Sequence, residues 1–125
     1  SNDSGKTSAS WALMALEIEC GTECEQLGYL ATQVVKGLGK DSSRVSKVLL
    51  RNNPAPARMA GNSAFKGFTS LRLMDTESLS QVSLGRPGLF LRDPNGNVIL
   101  FYPAKNAGKP MLKDLKHLLK LSNIG

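Results

Sequence analysis

The chain has 125 residues, enough to bury one core and too few for two domains. An apolar share of 41% and a charged share of 21% exclude a disordered or fibrous chain, and no stretch nears the apolar length of a membrane-spanning helix. The net charge of +6 is spread singly or in pairs from Lys6 to Lys120, which lacks the clustered, aromatic-interleaved pattern of a nucleic-acid binder.

Ser1 to Ser8 is small and polar, and is predicted to be a flexible tether before a single domain over residues 9–125. Trp11 to Ile18 is nearly all apolar, as expected of a strand buried on both faces. Leu27, Leu30, Ala31, Val34, Val35 and Leu38 keep to one helix face, which predicts a helix from about Thr22 to Leu38. Gly37, Gly39 and the polar run Lys40 to Ser43 stop it. Val45 to Leu50 reads as a second strand, cut off at Arg51-Asn52-Asn53-Pro54. The residues up to Gly67 then read as a loop with one irregular helical turn. Phe68 to Leu73 alternates like a strand, and Asp75 to Ser80 predicts a helical turn capped by Asp75.

Two apolar runs, Leu89 to Leu91 and Val98 to Tyr102, flank Asp93-Pro94-Asn95-Gly96. Proline at the first central turn position and glycine where φ turns positive predict a β-hairpin. Lys109-Pro110 opens a last helix, with proline in its first turn. Met111, Leu112, Leu115, Leu118 and Leu119 form its buried stripe, while Lys113, Lys116, His117 and Lys120 point outward. A strand–helix–strand unit implies parallel pairing by a right-handed crossover. The predicted fold is therefore α/β: a mixed central sheet with a C-terminal β-hairpin and flanking helices.

Both cysteines, Cys20 and Cys24, lie where the first strand gives way to the first helix. Backbone N–H groups and the helix dipole stabilise a thiolate at such a point. Cys24 stands three residues before Leu27 and continues the buried helix face, whereas Cys20 falls at or before the first turn. That asymmetry suits a dithiol redox pair or a soft-metal site. Cysteines four residues apart across a helix start are also within disulfide reach, roughly 6 Å between Cα atoms. Two ordinary buried cysteines, or an inert local disulfide, are the structural alternatives. Glu17, Glu19, Glu23 and Glu25 crowd the same segment, four of the chain's ten acids. Near a thiol they oppose the helix dipole; at a helix start they also read as a solvated acidic rim.

The arrangement resembles the thioredoxin fold along nearly the whole chain. Gly85-Arg86-Pro87-Gly88-Leu89-Phe90-Leu91-Arg92-Asp93 resembles the G-x-P-x-x-F-L-x-D stretch of membrane-tethered periplasmic thioredoxins. This implies that Pro87 occupies the cis-proline position facing the cysteines. The C-x-x-x-C spacing resembles instead the copper site of the Sco/SenC family of cytochrome oxidase assembly factors. In that family a histidine before the hairpin completes the site; here that position is Gly85, and the only histidine is His117.

The resemblance implies a thiol–disulfide exchange protein on the periplasmic side of the inner membrane, monomeric and anchored by a segment upstream. Cys20 is then the attacking thiolate, Cys24 the resolving thiol and Pro87 the platform for a cysteine-bearing partner in oxidase or cytochrome maturation. The alternatives are a Cu(I) chaperone binding through Cys20 and Cys24, and a binding module that keeps the fold without the chemistry.

Overall fold

The apolar run near the start of the sequence forms the central strand. The computed structural model describes residues 10–17, 23–52, 62–73 and 77–122, and in it all six residues of β1 (Trp11–Leu16) are buried. Helix α1 (Cys24–Gly37) and a 3-10 turn (Gly39–Arg44) return the chain to β2 (Val45–Asn52), parallel to β1. Strand β3 (Thr69–Leu73) adds a second parallel pair. After a short helix α2 (Glu77–Ser83), β4 (Gly88–Arg92) pairs antiparallel with β1, and β5 (Val98–Pro103) antiparallel with β4. Helix α3 (Lys109–Leu121) follows. The sheet runs β3-β2-β1-β4-β5, the mixed arrangement that the crossover and the hairpin predicted.

Alternation along β1 divides the core in two. Trp11, Leu13 and Ala15 face α1 and α3, meeting Leu27, Ala31 and Val34 from one helix and Met111, Leu115 and Leu119 from the other. Ala12, Met14 and Leu16 face the other way with Val48, Leu50 and Phe90, covered by Leu79 of α2 and by Phe101. Of the predicted stripes, Leu27, Ala31, Val34 and Leu38 and then Met111, Leu115 and Leu119 are buried, while Leu30, Val35, Leu112 and Leu118 are half-buried against them.

Gly28, mid-helix in α1, lets the 3-10 turn Ser63–Phe65 approach: a Cβ there would lie 2.5 Å from the Ala64 carbonyl oxygen. Arg44 donates to the Leu119 and Ser122 carbonyls at 3.0 and 3.1 Å, capping the carboxyl end of α3 from a residue distant in sequence. In the hairpin, Asp93 Oδ1 accepts from the Asn95 and Asn97 N–H groups, and Gly96 takes φ +92°. The D-P-N-G signal thus acts through its aspartate as well as its proline and glycine.

Two boundaries differ from expectation. β1 ends at Leu16, its last pair with β2, rather than at the expected Ile18, because Glu17 has already turned helical. Conversely, β2 runs through Arg51 and Asn52, because β3 pairs with both and carries the strand past residues that discourage it. The predicted tether, the Asp75 cap and Cys20 lie outside the described residues.

Candidate functional site

The carboxyl end of β1 is where this fold gathers chemistry. Cys24 is the first residue of α1, preceded by Glu23 in helical conformation, and only 2% of it is exposed. Its burial follows from position, since it extends the Leu27–Ala31–Val34 face by one turn. Cys24 is disulfide-bonded. The sequence contains one other cysteine, Cys20. The Cys24 sulfur lies 3.9 Å from the Glu17 carbonyl oxygen, at the end of β1. A disulfide sulfur has no proton to donate, so this approach is a contact rather than a hydrogen bond.

Pro87 comes to the same end of β1. Continuing the antiparallel register two residues past Ala15↔Leu89 carries Pro87 to the level of Glu17. The segment is tied on both sides. The Pro87 carbonyl accepts from the Ala104 N–H at 3.0 Å. The Arg86 guanidinium donates through Nε to the Ser83 carbonyl at 2.9 Å and lies over the Phe101 ring, 5.6 Å from its centroid. Ser83 is fully buried; its hydroxyl donates to the Ser80 carbonyl and accepts from the Gly85 N–H.

Ser83 and Arg86 therefore position Pro87, and the sequence reading passed over both. The available signal was a serine three residues before an X-Pro dipeptide, where a helix end must be satisfied. Gly85, at the position where the Sco family carries histidine, has φ +73° and its N–H on the Ser80 carbonyl. In this chain that position terminates α2 in a left-handed conformation that glycine adopts without strain.

Of the glutamates, Glu23 and Glu25 are exposed, Glu25 accepting from Asn62 Nδ2 at 2.9 Å, and Glu17 is half-buried. His117 is exposed on α3 and lines a trough with Leu100 and Leu118 on the flank of β5. Among the described residues no group of three or more His, Cys, Asp or Glu side chains gathers as a metal site.

Two groups elsewhere are perturbed. Burial, then the hydrogen bond and charge of Asp114, push Tyr102 up to about 12. Burial, then the charge of Lys36, lowers Lys47, whose ammonium donates to Thr32 Oγ1 and sits over Phe68.

A mixed sheet in this order, helices on both faces and a half-cystine at the first turn after the central strand make this a thioredoxin-like fold. The chain belongs to the family described as transmembrane-like, thioredoxin-like, C-terminal domain, which matches residues 11–122. No curated protein matches it. Copper-bound ScoI from Arabidopsis thaliana is similar in structure at 12% identity, with a TM-score of 0.54 over 90% of this chain and 88% of that one. Copper-bound ScoI from Bradyrhizobium japonicum gives 15% identity and 0.52 over the same shares. A thiol:disulfide interchange protein from Bacteroides sp. gives 10% identity and 0.58, over 95% of this chain and 79% of that one. At such identities the likeness establishes the fold. Among the described residues no helix is long and apolar enough to cross a membrane.

Proposed function

We propose that the protein exchanges thiols and disulfides with a cysteine-bearing partner, through Cys20 and Cys24 beside Pro87. The observation that supports this reading is a buried, disulfide-bonded Cys24 at the first turn of α1, beside the end of β1 to which the start of β4 returns. In the reduced protein, the Cys20 thiolate attacks a partner disulfide, forming a mixed disulfide and releasing one partner thiolate. The Cys24 thiolate then attacks the Cys20 sulfur, which frees the second partner thiol and closes Cys20–Cys24. The partner gains the two electrons that the dithiol loses, and the reverse sequence oxidises a partner dithiol.

Burial suits Cys24 to the resolving rather than the attacking role, because a shielded sulfur is out of a partner's reach. The partner belongs to oxidase or cytochrome maturation on the periplasmic side of the inner membrane, a reading supported by the family's description and the Sco-like fold.

Trapping tests it. Cys24→Ser should accumulate a mixed disulfide with partners on non-reducing gels, and Cys20→Ser should accumulate none.

A second reading is favoured by the three-residue spacing between the cysteines, which is that of a Sco-type copper site. Reduced Cys20 and Cys24 would together hold Cu(I) as two thiolates. Either serine substitution should then abolish Cu(I) binding alike, with no trapped partner, while His117→Ala changes nothing.

A further inference from the structure

β5 is the outermost strand on its side of the sheet, and among the described residues no strand pairs with its outer edge. The unpaired N–H and C=O groups of such an edge are a template for another strand. Folded domains guard edges with charge, and the opposite edge of this sheet is guarded: β3 carries an exposed Arg72 among its five residues. β5 reads Val-Ile-Leu-Phe-Tyr-Pro without a charge, and Val98 and Ile99 are 37% and 41% exposed. Its defences are an extra residue at Ile99, where the register with β4 slips, and Pro103 at its end. Leu100 to Tyr102 is left as regular edge.

A trough of about 810 Å³ runs between this strand and α3. Leu100, Leu112 and Leu118 line it with apolar surface, and Lys109, Lys113 and Lys116 line it with charge. The lysines are exposed and follow the i, i+4, i+7 spacing of one helix row. The single acid in the trough, Asp114, accepts the Tyr102 hydroxyl. The trough thus offers three ammonium groups to a visitor beside a strand edge with free backbone groups.

We propose that β5 is a docking edge that receives an extended acidic segment of a partner protein as an added strand, its alternate side chains lying in the lysine-lined trough. A strand sends every second side chain to one face, so those on the α3 side meet Leu100 and Tyr102 while their carboxylates reach the lysine row. Two other occupants fit less well. Antiparallel pairing of β5 with β5 of a second copy would place both α3 helices on the same face, lysine row against lysine row. Like charges so placed oppose association. A bilayer would meet the charge but bring no amides to the strand edge. The proposal stands on β5 and α3 alone, independently of the cysteines.

The test is a fluorescein-labelled peptide of about six residues, a common strand length, alternating glutamate and valine. The full chain is titrated into it and anisotropy followed. Saturable binding is expected, weakened about tenfold by Lys113→Glu with Lys116→Glu, since two weak attractions become repulsions. Methylating alternate peptide nitrogens should remove binding, because a methylated amide cannot donate to β5. The Phe101 amide, which faces away from β4 between the inward-facing Leu100 and Tyr102 amides, should gain hydrogen-exchange protection with the unmethylated probe. Failure to bind the peptide, equal binding of the methylated probe, or binding indifferent to the charge reversal each overturns the proposal. Concentration-dependent dimers of the free chain, or binding to phosphatidylglycerol vesicles in place of the peptide, overturn it in favour of a second copy or a membrane.

Discussion

The two faces of the sheet are built to different standards. On the α1/α3 face, two helices of 14 and 13 residues press a continuous apolar layer onto β1. On the other face, a helix of seven residues contributes Leu79 and leaves Val82 exposed, as is Leu84 just beyond its end. The candidate site draws one part from each. Cys24 grows out of the thick face, whereas Pro87 is held by the thin one through Ser83, Arg86 and Phe101. The more thickly packed half carries the sulfur and the more thinly covered half carries the platform.

The comparison can be broken by mutation. Leu115→Ala, beneath α3, should cost about 2–5 kcal/mol, the usual range for an aliphatic side chain lost from a packed core; denaturant unfolding measures it. Gly28→Ala should cost about 1–3 kcal/mol, because the new methyl meets the Ala64 backbone rather than a movable side chain. Leu79→Ala on the thin face should cost about 1 kcal/mol or less, its side chain being only partly buried. It should nevertheless slow thiol–disulfide exchange, since α2 ends in the residues that tie Pro87. A Leu79 variant as destabilised as the Leu115 variant, with unchanged exchange, would refute the division of labour.

The smallest effect concerns pH. Tyr102 keeps its proton up to about 12 in the folded protein, against 10.0 ordinarily. The folded state therefore binds this proton more tightly than the unfolded chain does. That contribution to stability is complete below pH 10 and is lost as pH rises toward 12. Ultraviolet titration of the phenolate should show the raised value, and Asp114→Asn should bring it down part of the way, because burial remains. No change in that variant would assign the whole shift to burial.

What the sequence revealed, and what it hid, follows the range of the forces involved. The α1 and α3 stripes were legible because a helix face repeats its apolar residues locally, and the hairpin because Asp93 to Gly96 holds its own turn. Burial of Cys24 was readable from its spacing to Leu27. The persistence of β2 through Asn52 was not, since it depends on β3, some twenty residues further along. The role of Gly28 was not legible either, since it depends on the approach of the distant turn at Ala64. The tie from Arg86 to Ser83 and Phe101 joins residues that no local pattern relates.

Arg44 has a further consequence, in time rather than in space. It grips carbonyls 75 and 78 positions further on, so the clasp cannot form until α3 has been synthesised. Until then Leu13 and Ala15 of β1 lack their cover from Met111, Leu115 and Leu119. Contacts of such sequence separation slow folding and prolong the exposure of sticky surface. A nascent chain stalled after the hairpin would present its central strand half covered, a state to which chaperones and proteases respond. The guanidinium that closes the domain is in this sense also its signal of completion.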